Sequence, residues 1–181
     1  GGGHKANSVD LNTYHFCIEG DGTVVPGVRN PEANRDVRDG DYSAHTRGLN
    51  TGSIGVSLCA MYGARERPFY AGEYPIKPQQ VEALAELCAD LCRTYGISVT
   101  PETVLTHAEV LPTLGVWQRA KWDVVWLPDM ERPGDPVVVG ARLRGMIRAK
   151  VADPAPEPAE QPDGVLAALL MALRRIFGRQ T

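Results

Sequence analysis

The chain has 181 residues, enough for one domain with a hydrophobic core and a tail. Its 19 basic and 22 acidic side chains give a formal net charge of −3, which predicts no nucleic-acid partner. The four cysteines are too few and too scattered for a disulfide scaffold. No stretch is long and apolar enough to span a bilayer as a helix.

The first part of the chain predicts a loop followed by a hairpin. Residues 1–12 are rich in glycine and polar side chains, which is typical of a loop. Residues 13–19 (TYHFCIE) and 23–25 predict short strands, joined by the glycines of a Gly-Asp-Gly turn. Residues 26–43 predict a long exposed loop, and long ordered loops in compact domains are commonly functional.

Two further strands and two helices are predicted after this loop. The small and apolar residues 53–61 predict a strand in the middle of the sheet, and the β-branched residues 103–106 predict another. Apolar residues recur at helical spacing from Pro78 until Gly96, which ends the helix. A second helix is predicted from Asp135-Pro136 to about Lys150.

The most informative stretch begins at the end of the predicted strand 103–106. His107 follows this strand, and Lys121 and Asp123 come after a turn-rich link. Histidine and aspartate are both ordinary zinc ligands, and a nearby lysine would add an electrostatic helper. Considered alone, a surface pair or a satisfied core pair is the commoner explanation for two such residues.

Three stretches together resemble the motifs of one enzyme family. They are THAEV followed by KWD, the hairpin TYHFCIEGDGTV, and SAHTRGLNTGSIGV. They resemble the type 2 N-acetylmuramoyl-L-alanine amidases, which include phage lysozyme-like amidases and peptidoglycan recognition proteins. The resemblance covers residues 11–130. It implies an α/β fold in which helices flank a mixed central β-sheet.

The resemblance also implies roles for particular residues. It places His107 and Asp123 on zinc-ligand positions, Lys121 on the catalytic lysine, and Tyr14 on a tyrosine that handles the attacking water or the oxyanion. Without the motif, a strand aromatic packed in the core explains Tyr14 equally well.

The third motif implies a substrate-binding loop. In the family, a histidine and a polar loop line the groove that receives the muramyl-peptide. His45, Thr46 and Asn50 occupy this loop here. A capped turn that leads into the next strand is an equally good explanation for Asn50.

The family's zinc site has a third ligand, a histidine that ends an opening strand. That strand precedes a glycine-rich stretch like residues 1–3, where this sequence starts. We therefore expect the opening strand to be absent here. His4 is the only nearby substitute, but a histidine in a flexible terminus is more commonly just solvated. A site with two ligands would hold zinc more weakly than a complete one.

These implications predict a zinc-dependent hydrolase of the endolysin type, encoded by a phage or prophage. It would cleave the amide between N-acetylmuramic acid and L-alanine in peptidoglycan. The alternative is a non-catalytic peptidoglycan-binding module that has lost its metal site. Such an enzyme would be made in the cytoplasm and act on the cell wall or in the periplasm, although no signal peptide is visible.

Composition divides the chain into three parts. Residues 1–151 form the amidase-like domain, and the Pro- and acid-rich residues 152–164 predict a stiff linker. Residues 165–181 predict a basic amphipathic helix that binds an anionic membrane surface. The alternative is that this helix packs on the domain or on a second copy of the chain.

Overall fold

A small mixed sheet lies at the centre of the computed structural model, which describes residues 3–119 and 121–152. Its strands are β1 (Phe16–Ile18), β2 (Val24–Pro26) and β3 (Val56–Leu58), in the spatial order β2-β1-β3. Strand β1 pairs with β2 in antiparallel and with β3 in parallel orientation. Every residue of β1 is buried, so this strand forms the middle of the described sheet.

Helices flank this sheet, as the sequence predicts. The described α-helices are α1 (Ser8–Thr13), α2 (Pro78–Tyr95), α3 (Val110–Leu114) and α4 (Pro136–Ala152). Leu87 and Leu91 of α2 pack against the apolar side chains of β1, and Ile147 of α4 packs against the alanines of α2. The α/β fold with a mixed central sheet is therefore confirmed. None of the described helices is both long and apolar enough to cross a membrane.

Both long helices begin and end close to the predicted residues. Helix α2 begins at Pro78, and Gly96 ends it in the left-handed conformation with φ of 64°. Asp135 precedes α4, and its side chain accepts hydrogen bonds from the N–H groups of Val137 and Val138. Helix α4 continues to Ala152, one residue into the predicted linker. The rest of the linker and the predicted terminal helix lie outside the described residues.

The predicted strand 103–106 is wrong. These residues lie at the end of a turn and in an irregular stretch, and His107 begins a short 3-10 helix, His107–Glu109, rather than ending a strand. The Thr103 hydroxyl bonds to Thr100 and to the Ser98 carbonyl, and the Thr106 N–H donates to the Glu109 carboxylate. Such local bonds from threonine and acidic side chains compete with a strand ladder.

The other corrections also come from local hydrogen bonds. Residues 1–12 are not all loop, because Asn7 accepts from the Val9 and Asp10 N–H groups and caps α1. The long loop of residues 26–43 contains two 3-10 helices, Pro31–Arg35 and Val37–Asp39. The strand predicted over residues 53–61 shrinks to β3, which lies at an edge of the described sheet and is only half-buried.

Candidate active site

The structure brings the predicted metal ligands and the predicted catalytic lysine together. Nδ1 of His107 lies 3.6 Å from Oδ2 of Asp123, and Nζ of Lys121 lies 3.9 Å from the same oxygen. The side chain of His107 is largely buried at 17% exposure, whereas Asp123 and Lys121 are about half exposed, at 52% and 42%. The cluster therefore combines the buried imidazole of His107 with an exposed charged rim, formed by Asp123 and Lys121.

A buried ion pair fixes the turn that carries His107. The Glu109 carboxylate accepts from Nη1 of Arg144 on α4 at 2.8 Å and from the Thr106 N–H at 2.8 Å. Both charged side chains are almost fully buried. Gly140 leaves room for the carboxylate, since a Cβ at this position would lie 1.9 Å from Oε2 of Glu109. Helix α4 thus sets the position of the turn that carries His107.

Gln118 contacts the other nitrogen of the His107 ring. Its Oε1 lies 3.0 Å from Nε2 of His107, and its Nε2 donates to the Arg47 carbonyl at 3.0 Å. The side chain of Gln118 is buried. It therefore joins the turn that carries His107 to the loop that carries His45. No motif in the sequence singles out this residue.

Tyr14 and His45 lie beside this cluster. Their rings stack with centroids 6.5 Å apart. Burial raises the pKa of Tyr14, and the negative charges of Asp123 and Asp10 raise it further. Burial also lowers the pKa of His45 to about 4, with smaller contributions from His15 and His107. At neutral pH the pair consequently offers a protonated phenol and an uncharged imidazole.

A buried polar network holds the loop of His45 in place. Asn34 is fully buried, and its Oδ1 accepts from Nε2 of His15 and from the Ser43 N–H. Its Nδ2 donates to the carbonyl oxygens of Ser43 and Asn50. The Gly55 N–H donates to Nδ1 of His15, which assigns the ring proton to Nε2. Asn34 lies in a charged loop without a sequence signal, and its importance follows only from these contacts.

The remaining predicted substrate residues lie in the same loop. Oδ1 of Asn50 accepts from the Thr46 N–H at 2.8 Å, so this side chain closes the loop on itself. The Thr46 hydroxyl lies 3.1 Å from Nδ1 of His45. Asn50 thus has the structural role of capping the turn, and its contact with substrate stays a prediction.

His4 lies elsewhere and does not join the predicted ligands. Its ring packs edge-on against Tyr74, and its Nε2 lies 2.9 Å from the Pro75 carbonyl. Within residues 3–119 and 121–152, no cluster of three or more His, Cys, Asp or Glu side chains is placed to hold a metal ion. In the described part of the chain, His4 therefore does not complete the predicted ligand set.

Comparison with known families identifies the chain. A sequence model described as N-acetylmuramoyl-L-alanine amidase matches residues 3–129, which include the whole cluster. The chain belongs to the N-acetylmuramoyl-L-alanine amidase family. No curated protein and no solved structure gave a significant match. Membership places the chain among the peptidoglycan amidases, with peptidoglycan as the substrate class.

Proposed function

We propose that this amidase is zinc-dependent and cleaves the bond between N-acetylmuramic acid and L-alanine, as a phage or prophage endolysin does. The observation that carries this proposal is that His107 and Lys121 both lie within 4 Å of the Asp123 carboxylate. Tyr14 and His45 lie beside them. These residues come from four separate parts of the sequence. A domain that only bound peptidoglycan would need the groove but not this set of ionisable groups.

The donor atoms fit two ligand positions of a zinc ion. Two ligands of a tetrahedral zinc, each at roughly 2.1 Å, lie about 3.4 Å apart. The 3.6 Å between Nδ1 of His107 and Oδ2 of Asp123 is close to this spacing. Imidazole and carboxylate are both ordinary zinc ligands. A complete site needs a further donor, which the described residues do not supply.

The surrounding side chains suit hydrolysis of an amide. Bound zinc would supply a Lewis acid and lower the pKa of a water molecule. The ammonium group of Lys121 lies at the rim, where it stabilises negative charge developing on the amide oxygen. Tyr14 keeps its proton because its pKa is raised, so its hydroxyl donates a hydrogen bond to the water or to the oxyanion. We place the muramyl-peptide against the loop of His45, whose imidazole is uncharged at neutral pH.

Two substitutions separate the proposed roles. In an enzyme whose metal site is complete, we expect Lys121→Ala to retain bound zinc and to lower turnover by about 10²–10³-fold, since it removes one oxyanion donor. Asp123→Ala should lose both zinc and turnover. Arg132→Ala, which removes an exposed cation outside the site, is the control and should match the wild type.

The product identifies the bond that is cleaved. Incubation with muropeptides should release free peptide with a new L-alanine amino terminus. New reducing ends would instead show cleavage of the glycan and contradict the proposal. Binding to peptidoglycan without release of peptide, in protein saturated with zinc, would support the alternative of a non-catalytic module.

We propose a separate role in localisation for residues 165–181. This segment carries Arg174, Arg175 and Arg179 together with several leucines, whereas residues 152–164 carry acidic side chains and prolines. Apolar burial and attraction to anionic headgroups would act together to bring the enzyme to a membrane next to the cell wall. This composition supports a tethered enzyme that acts at the wall or in the periplasm.

A further inference from the structure

Trp117 presents a large aromatic ring at the surface next to the candidate active site. It is 58% exposed, whereas Trp122 and Trp126 are both partly buried. A single exposed apolar side chain is ordinary, but one that adjoins a group of convergent polar side chains is typical of a ligand-binding surface. The contacts of the neighbouring residues therefore decide whether Trp117 has such a role.

Gln118 fixes the position of Trp117 relative to the catalytic cluster. Its Oε1 lies 3.0 Å from Nε2 of His107, and its Nε2 donates to the Arg47 carbonyl at 3.0 Å. The other ring nitrogen of His107, Nδ1, faces Asp123. The segment that carries Trp117 is therefore on the side of the imidazole opposite to the exposed charged rim.

The guanidinium of Arg47 forms the second part of this surface. Its Cζ lies 5.9 Å from the centroid of the Trp117 ring, within the range of a cation–π contact. The two loops also pack together beside this contact, since a Cβ on Gly48 would lie 3.6 Å from Cγ1 of Val116. Both Arg47 and Trp117 are exposed, so the pair offers an open aromatic surface next to several N–H donors.

We propose that Trp117 and Arg47 form a subsite for a sugar ring of the glycan strand. Trp117 stacks on the face of the ring, and Arg47 donates hydrogen bonds to the oxygen atoms at its edge. The assignment rests on the proposed function, in which the cleaved bond joins N-acetylmuramic acid to L-alanine. A substrate held at the cluster then extends away as glycan in one direction and as peptide in the other.

An N-acetylated sugar ring suits this pair better than the peptide does. The ring is uncharged and presents C–H bonds on its face, whereas an aromatic ring carries negative charge density on its own face. The hydroxyl and acetamide oxygens at the edge of the sugar accept hydrogen bonds from a guanidinium. A carboxylate of the peptide would pair with Arg47 alone and would leave the indole surface unused.

Titration with chitotetraose, a soluble oligomer of N-acetylglucosamine, tests the subsite in the full chain without hydrolysis. The three tryptophans give three indole N–H signals in NMR, and Trp117→Phe identifies the signal of Trp117. We expect this signal to shift with saturation, and Trp117→Ala to weaken binding about tenfold in calorimetry. The absence of a shift at millimolar chitotetraose would overturn the proposal. A shift caused by the free stem tetrapeptide but not by the sugar would also overturn it.

Tyr70→Ala is the matched control for the loss of an exposed aromatic ring. Tyr70 is 44% exposed, and Cζ of Arg65 lies 5.5 Å from the centroid of its ring. The two residues form an antiparallel bridge that is not part of the candidate site. Tyr70→Ala should therefore bind chitotetraose like the wild type. An equal loss of binding in Tyr70→Ala and Trp117→Ala would contradict a specific subsite.

Turnover separates this proposal from the function on which it rests. On a disaccharide muropeptide, Trp117→Ala should raise KM about tenfold and leave kcat nearly unchanged, because the ring contributes to binding alone. On the same peptide with a lactyl group and no sugar, it should match the wild type, and an equal loss on both substrates would refute the subsite. If chitotetraose shifts the Trp117 signal and no muropeptide is cleaved, only the proposed function fails. If muropeptide is cleaved equally well by both proteins, only the subsite fails.

Discussion

Removal of Arg144 should destabilise the domain strongly, because it leaves a buried carboxylate without its cation. Glu109 is fully buried, and Arg144 donates to it at 2.8 Å from α4. In Arg144→Met, the carboxylate would keep only the Thr106 N–H. Breaking a buried ion pair in this way typically costs about 3–5 kcal/mol. At roughly 2–4 °C per kcal/mol for a domain of this size, Tm should fall by about 6–20 °C.

A matched substitution on the same helix controls for the loss of an arginine. Arg142 pairs with Asp129 at the surface, where both side chains are about half exposed. Arg142→Met should therefore cost no more than about 1 kcal/mol. Urea unfolding, monitored by fluorescence, measures the free energy of unfolding of both variants. The double substitution Glu109→Met with Arg144→Met should recover part of the loss, since no charge is then stranded. If Arg144→Met costs no more than Arg142→Met, the buried pair does not anchor the His107 turn.

Three further predictions concern pH, the loop network and the tail. The pKa of His45 is about 4 in the folded chain, whereas its ordinary value is 6.5. Between these two pH values, the unfolded chain binds a proton that the folded chain does not. The free energy of unfolding should therefore fall by up to about 3 kcal/mol as the pH drops from 6.5 to 4. His45→Gln should flatten this slope in urea unfolding, and an unchanged slope would contradict it. Asn34→Leu leaves several buried groups without a hydrogen-bond partner, and each should lower the free energy of unfolding by about 1–3 kcal/mol. Asn12→Leu at the surface is the control and should change the stability little. Equal effects of the two substitutions would contradict a structural role for the Asn34 network. Deletion of residues 165–181 should abolish salt-sensitive binding to anionic vesicles, whereas unchanged binding with a lower Tm would show that the segment belongs to the core.

The family and the general fold were predictable from local sequence. Turn glycines define the hairpin of β1 and β2, and apolar spacing with Pro78 and Gly96 defines α2. The residues His107, Lys121 and Asp123 could be selected because the motif specifies their chemistry. Their closeness to one another was then an expectation, which the distances of 3.6 and 3.9 Å now support.

The sequence by itself determined the features that depend on one turn or one motif. These are the helix ends, the hairpin and the identity of the ionisable residues. The tertiary structure decided how those residues are held. The predicted strand before His107 fails because a distant arginine on α4 and local threonine bonds favour a turn there. Gln118 and Asn34 gain their roles from partners 71 and 16 positions away in the chain, across buried hydrogen bonds. Such contacts have no sequence period, because they depend on which loops the core brings together.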